Sequence, residues 1–207
     1  MEIEFEKYIT QRKVWPQEGR HILAQHTKDY VIVYQAFKPS LAEYAVEHQR
    51  FGGAEYNPDP DRMSWIKTNF LWMMYRSGWA TKPNQERILA IFVKLDGFEE
   101  ILRNAYTGKL EKHEGVEKDD IQVRLQWDPD HDPYGEKVLR RAIQLGLKAN
   151  IRKQFNEEWI LEIKDVTDFV KEQHEFVLKN DLDNLTVPRE TEYRPLDDSV
   201  YDRVFNY

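Results

Sequence analysis

The stretch Ile22-Leu-Ala-Gln-His-Thr-Lys-Asp-Tyr-Val-Ile-Val-Tyr-Gln-Ala-Phe37 decides the fold class. Two apolar, β-branched runs, Ile22–His26 and Tyr30–Phe37, flank the turn-forming Thr27-Lys28-Asp29, which predicts a hairpin. The second run is apolar on both faces, as in a central strand covered from both sides. Ile121–Trp127 alternates instead. Ile121, Val123, Leu125 and Trp127 point one way and Gln122, Arg124 and Gln126 the other, the mark of a half-buried strand. Further strands are predicted at Ile88–Lys94 and Trp159–Ile163. Helices are predicted at Leu41–Arg50, Met63–Ser77, Gly97–Asn104 and Val166–Leu178. Glu136–Gly146 fits helical and strand spacing about equally and reads as a helix running into a short strand. Residues 106–120 read as a charged loop. Strands and helices mix without strict βαβ alternation, so the expected class is α+β, with a mixed, mainly antiparallel sheet.

The chain has 207 residues, enough for one domain with an appended tail. The expected division is an N-terminal arm (1–19), a single α+β domain (20–178) and a C-terminal strap packed on the body (179–207). The strap lacks periodicity but keeps Leu182, Leu185, Val187, Tyr193, Val200, Val204 and Phe205, more apolar bulk than a solvated linker carries. Cysteine is absent, which excludes disulfides, Cys-ligated zinc and a Cys nucleophile. The opening Met-Glu-Ile-Glu-Phe-Glu lacks signal-peptide order, and no apolar run reaches membrane-span length. The expectation is a cytoplasmic protein with no membrane partner.

The net charge of −7 argues against a general nucleic-acid binder, but charge is unevenly spread. Between Arg62 and Lys94 there are six basic residues and one acid. From Asn156 onward there are 14 acids and six basic residues. The densest unusual segment is Arg62-Met-Ser-Trp-Ile-Lys67-Thr-Asn-Phe-Leu-Trp-Met-Met-Tyr75-Arg76-Ser-Gly-Trp79. Read as one helix, it places Trp65, Trp72 and Trp79 on a single face, with Arg76 beside them and Lys67 among apolar neighbours. A buried cation needs a carboxylate, an aromatic face or a bound anion. Either the segment walls an anion-binding pocket, or its cations pair internally with acids from elsewhere.

Other motifs carry less. No G-x-G-x-x-G, P-loop, H-E-x-x-H or G-x-S-x-G is present. The six histidines show no metal-ligand spacing. Asp128-Pro-Asp130-His131-Asp132-Pro resembles the start of a calcium loop. Its sixth and twelfth positions are Pro133 and Leu139, where an EF-hand needs Gly and Glu, so an Asp-Pro turn is the simpler reading.

Val33-Tyr-Gln-Ala-Phe37, Arg62-Met-Ser-Trp-Ile-Lys67, Phe70-Leu-Trp-Met-Met-Tyr-Arg-Ser-Gly-Trp79, Gln126-Trp-Asp-Pro129 and Ile143-Gln-Leu-Gly146 resemble the signature blocks of a family catalogued as domain of unknown function 4291. The resemblance spans about residues 20–178. The chain departs from the family pattern at Thr68, commonly Pro, and at Asp130-His131, often Glu-Arg. The resemblance implies membership of the ADP-ribosyltransferase-like superfamily and a split α+β fold holding NAD, as substrate, between two small sheets. Arg20, His21 and Gln25, on or beside the first strand, would then serve the adenosine side. Tyr34, Tyr75 and the Trp65 and Trp79 rings would stack. Arg62, Lys67, Arg76, Gln126 and Arg141 would complete the nucleotide site. The reaction needs a late-strand carboxylate, for which Glu162 is the candidate, and Gln144 lies in a signature block. The acceptor would be a protein or a nucleic acid. Two readings stand beside a transferase: a non-catalytic module for a nucleotide or nucleic-acid end, and an interaction protein whose Trp-rich segment is only core.

Overall fold

The apolar run at residues 30–37 is the central strand its composition predicts in the computed structural model, which describes residues 1–207. The elements are β1 (Phe5–Lys7), α1 (Tyr8–Val14), β2 (Gly19–Arg20), β3 (Ile22–Ala24), β4 (Tyr30–Phe37), α2 (Pro39–His48), β5 (Ser64–Lys67), α3 (Phe70–Ser77), β6 (Arg87–Lys94) and α4 (Leu95–Arg103). There follow β7 (Ala105–Tyr106), α5 (Gly108–Glu114), β8 (Val123–His131), β9 (Lys137–Leu147), α6 (Ala149–Gln154), β10 (Ile160–Asp165), α7 (Thr167–Leu178), β11 (Thr186–Pro188), β12 (Thr191–Tyr193) and α8 (Asp198–Phe205). The main sheet runs β10-β6-β4-β5-β9-β8-β7, with β2 beside β9. Only β2–β9 and β7–β8 are parallel, so the protein is α+β with a mainly antiparallel sheet. No helix is long and apolar enough to cross a membrane.

The sheet is forked. β4 and β6 pair along their whole length, from Tyr30↔Lys94 to Phe37↔Arg87, and β5 pairs with β9 from Ser64↔Leu147 to Lys67↔Gln144. β4 and β5 share one register pair, Tyr34↔Lys67. Beyond it the side chain of Gln35 spans the gap, its Nε2 donating to Ser64 Oγ (2.8 Å) and to the Trp65 carbonyl (3.0 Å).

The two faces of β4 feed separate cores, which is why its sequence is apolar throughout. Val31 and Val33 join Leu89, Ile91, Ile143 and Leu145 in one. Ile32 and Tyr34 join Ala90, Phe92, Phe70 of α3 and Val170 of α7 in the other.

Several local expectations are corrected. Met63–Ser77 is not one helix: Ser64–Lys67 is β5, and α3 begins only at Phe70. Asn69 starts it, its Oδ1 accepting from Trp72 N at 2.7 Å, while the Glu190 carboxylate accepts from Phe70 N at 2.6 Å. A buried strand and a buried helix share the same apolar composition, and pairing with β9 decides between them. Trp65, Trp72 and Trp79 therefore share no helix face. Glu136–Gly146 contains no helix, because the segment pairs with β8 on one side and β5 on the other. The charged stretch 106–120 holds α5, whose start is capped by Thr107 Oγ1 accepting from Leu110 N at 3.1 Å. The turn at Thr27–Asp29 closes with Thr27 N donating to Tyr30 O (2.9 Å) and Ile32 N to Gln25 O (2.9 Å), yet β3 takes its longer pairing from β12.

Both termini pack on the body. β11 pairs with β1 and β12 with β3, and Leu185, Val187, Tyr193, Val200 and Val204 are buried. The Trp15 indole Nε1 donates to the Glu190 carbonyl at 2.9 Å.

Candidate functional site

A cleft of about 320 Å³ opens in the fork between β4 and β5. Gln35 and Phe37 of β4 form one side and Ser64, Trp65 and Lys67 of β5 the other, and Met73 and Arg76 of α3, Tyr56 and Arg62 complete the lining. Four of the residues expected to bind the nucleotide thus converge here: Arg62, Trp65, Lys67 and Arg76.

The cations of the cleft are not neutralised from within. The Arg62 and Arg76 guanidinium groups are exposed and make neither an ion pair nor a hydrogen bond. Lys67 is only 8% exposed. Its Nζ donates to the Trp65 carbonyl at 3.1 Å, stands 5.4 Å from the centre of the Trp72 ring, and has no carboxylate oxygen within 4.0 Å. Burial, aided by the charge of Arg76 and opposed by that of Asp128, pushes its amine down to about 7. Glu55, the acid on the cleft wall, is engaged by Lys38 at 2.7 Å and by Ser40.

Two features shape the walls. Gly146 lies opposite Trp65 in the ladder, and a Cβ there would sit 2.9 Å from Trp65 Cζ2 and 3.0 Å from Met63 Sδ. The indole can lie flat over the strand only because that side chain is missing. The Asn57–Asp61 turn, closed by Asp59 N to Asn57 Oδ1 (2.9 Å), is anchored by Arg152. The Arg152 guanidinium donates to the carbonyls of Asn57 (2.9 Å), Asp59 (2.9 Å) and Arg62 (2.6 Å), and so holds the backbone from which Arg62 reaches the cleft.

From Lys67 a polar strip continues across the sheet. The register pairs Tyr34↔Lys67, Lys67↔Gln144 and Gln144↔Gln126 put these side chains on one face of four adjacent strands. Gln144 Nε2 donates to Gln126 Oε1 (2.8 Å) and to Asp128 Oδ2 (2.5 Å). Burial raises the Asp128 carboxyl, against the Gln144 bond and the charges of Lys67, Arg141 and His131. Asp128 was legible only as part of the Gln126-Trp-Asp-Pro129 block. Gln35 likewise was legible only as part of the Val33-Tyr-Gln-Ala-Phe37 block, and Arg152 carried no sequence signal.

The remaining candidates lie elsewhere. Tyr34 is fully buried beneath α3, 5.6 Å from the Phe70 ring, and cannot stack on a ligand. Tyr75 stacks on His131 at 3.5 Å, and Trp79 on His174 at 5.3 Å with its Nε1 bonded to the Pro133 carbonyl. Both sit away from the fork. Arg20 ties down the C-terminus through the Phe205 and Tyr207 carbonyls (2.8 and 3.1 Å). His21 bonds Glu192 at 2.6 Å, and Gln25 exchanges hydrogen bonds with the Glu4 backbone. Arg141 is exposed and, by strand alternation, falls on the face opposite Gln144. Glu162 is on the far edge strand, bonded to the terminal amine at 2.6 Å. It is separated from the cleft by β6 and β4.

The Asp128–Asp132 segment is strand and turn. β8 runs through His131, and Asp132 Oδ1 accepts from Tyr134 N and Glu136 N, both at 2.9 Å. No group of three or more His, Asp or Glu side chains could hold a metal ion. Asp130 instead meets Arg140 in a buried ion pair of 2.5 Å.

Fork, cations and aromatic walls together describe an α+β protein with a basic, aromatic-lined cleft in a forked, mainly antiparallel sheet. Residues 21–193 match the family described as Domain of unknown function (DUF4291), and the chain belongs to that family. No curated protein is significantly similar to it.

Proposed function

We propose that the fork cleft binds the phosphates of NAD or a related nucleotide, and that the protein is ADP-ribosyltransferase-like. One observation carries this reading: Arg62, Lys67 and Arg76 converge on a cleft in which they make no ion pair, its carboxylate, Glu55, being engaged by Lys38 and Ser40. In an acidic protein, three cations spared from internal pairing suit a multivalent anion, which Arg binds through paired, charge-assisted hydrogen bonds. Trp65, Tyr56 and Phe37 supply flat apolar surface for a base or nicotinamide ring. The forked sheet suits a nucleotide held between two half-sheets. For a transfer reaction, Asp128 is the carboxylate on the Lys67 strip, and Gln144 orients it.

Asp128 is already bonded to Gln144 and carries a raised pKa, which favours the alternative that the nucleotide is bound without transfer. Thermal unfolding with NAD, ADP-ribose, ATP and a short RNA, combined with an assay for released nicotinamide, separates the two. A ligand at 100 times its Kd stabilises by about 2.7 kcal/mol, roughly 5 to 10 °C for a chain of this size. A shift with nucleotides but no nicotinamide release supports binding alone. No shift with any of the four refutes the nucleotide reading.

A further inference from the structure

We propose that Lys67 is a nucleophilic amine that condenses with an aldehyde or ketone whose phosphate is held by Arg62 and Arg76. The proposal rests on the reading of those arginines as phosphate ligands and adds the electrophile they would deliver.

What sets Lys67 apart from a structural lysine is where it lies. A lysine that serves the fold extends its amine to water or is satisfied by a carboxylate, an aromatic face or a carbonyl. Lys67 has the Trp72 ring and the Trp65 carbonyl but no carboxylate, and it lines an open cleft beside two unpaired arginines. It is held by β5 in the lining of the cleft, bonded once, to the Trp65 carbonyl, with its Nζ over the Trp72 ring, 5.4 Å from the ring centre. The charged groups facing it are Arg76 from α3 and Asp128 from β8, and neither forms an ion pair with it. Lys148, the other buried lysine, donates to the Asp119 carbonyl and is not part of the cleft. Burial beside a second cation favours the uncharged amine, so a substantial fraction of Lys67 carries a free lone pair near neutral pH. Surface lysines, with pKa near 10.4, have below about 0.1% free amine at pH 7.

The step balances without an oxidant or reductant. The Nζ lone pair attacks the carbonyl carbon, and the C=O π pair moves to oxygen, which takes up a proton. The nitrogen then loses a proton, the hydroxyl leaves as water after protonation, and the C=N bond forms. Amine, carbonyl and one proton give the protonated imine and water, and loss of that proton from nitrogen gives the imine.

The test treats the full-length protein at pH 7 with pyridoxal 5′-phosphate or with pyridoxal as probes. Borohydride then reduces any imine to a stable secondary amine, and peptide mass spectrometry locates it. Lys67 is expected to react at least about tenfold faster than the surface lysines, and at least about tenfold faster with the phosphorylated probe than with pyridoxal. Lys67→Arg, which keeps the charge, should lose the adduct while its melting temperature reports the fold. Labelling of Lys67 no faster than surface lysines overturns the proposal, as does equal labelling by the two probes. Inorganic pyrophosphate tests the arginines separately. A melting shift with pyrophosphate and no adduct at Lys67 rejects the amine and leaves the anion cleft standing. An adduct with no phosphate preference and no pyrophosphate shift rejects the arginine reading.

Discussion

Glu190→Gln should alter stability in a way that changes sign with pH. Glu190 is 1% exposed and has no cation bonded to it; its carboxylate accepts from Phe70 N at 2.6 Å and from Asn69 Nδ2 at 3.1 Å. Burial holds its carboxyl well above the ordinary value of 4.5, outweighing the Phe70 bond. In the variant Oε1 still accepts from Phe70 N, but Nε2 confronts Asn69 Nδ2, donor against donor. One hydrogen bond is lost, which costs about 1 kcal/mol. At pH 4 the carboxyl is largely protonated in both folded and unfolded chains, so the variant should be the less stable by that amount. Above the unfolded pKa the unfolded chain ionises while the folded chain keeps its proton. Wild-type stability then falls by about 1.4 kcal/mol per pH unit until the folded carboxyl also ionises. The variant has no such group. It should draw level about one unit above the unfolded pKa and be more stable from there upward. Urea unfolding followed by tryptophan fluorescence at pH 4, 5, 6 and 7 measures the difference. A constant gap between the two proteins across that range would refute the reasoning.

Three further outcomes are expected. Arg140→Ala leaves Asp130 buried without its partner and should cost about 3 to 5 kcal/mol, read by denaturant titration; a loss under about 1 kcal/mol would mean the pair is water-exposed in solution. Gly146→Ala places a methyl group 2.9 Å from the Trp65 ring and should displace that wall, weakening nucleotide-induced stabilisation more than it lowers the apo melting temperature. Truncation after Leu178 removes buried Leu185, Val187, Tyr193, Val200 and Val204, each worth about 1.5 to 3 kcal/mol when fully buried. That sum rivals the whole stability of an ordinary domain, so the truncated chain should fail to express in soluble form; a truncated protein with unchanged melting would contradict the packing of the strap.

Much of the sheet was legible because burial writes itself into alternation. Ile121–Trp127 alternates since one face meets the core and the other the polar strip. Residues 30–37 do not alternate since both faces meet cores. Where one composition serves two structures, local pattern could not choose. Ser64–Lys67 became a strand because it pairs with residues 144–147, far away in the chain, and such pairing leaves no mark on neighbouring residues; Lys137–Leu147 is held as a strand by its hairpin with β8 on one side and by β5 on the other. The same limit governed the site. Arg62, Lys67 and Arg76 stood out as cations without nearby acids, but Trp79 and Tyr75 looked equally eligible and prove to pack on His174 and His131. Asp128 was hidden in what reads as a turn. Its place beside Gln144 appears only with the β8–β9 register. Glu190 lies far from α3 in sequence, and only the fold carries it to Phe70 N.

Calorimetric titration of ADP-ribose into wild-type protein and Arg76→Ala tests the anion cleft most directly. Arg76 is exposed and unpaired, so the substitution should leave apo stability within about 0.5 kcal/mol. The expected result is saturable binding by the wild type and a loss of affinity of at least about tenfold in the variant, for the charge-assisted bonds removed. No binding by the wild type, or equal affinity in both, would contradict the assignment of the fork as a phosphate site.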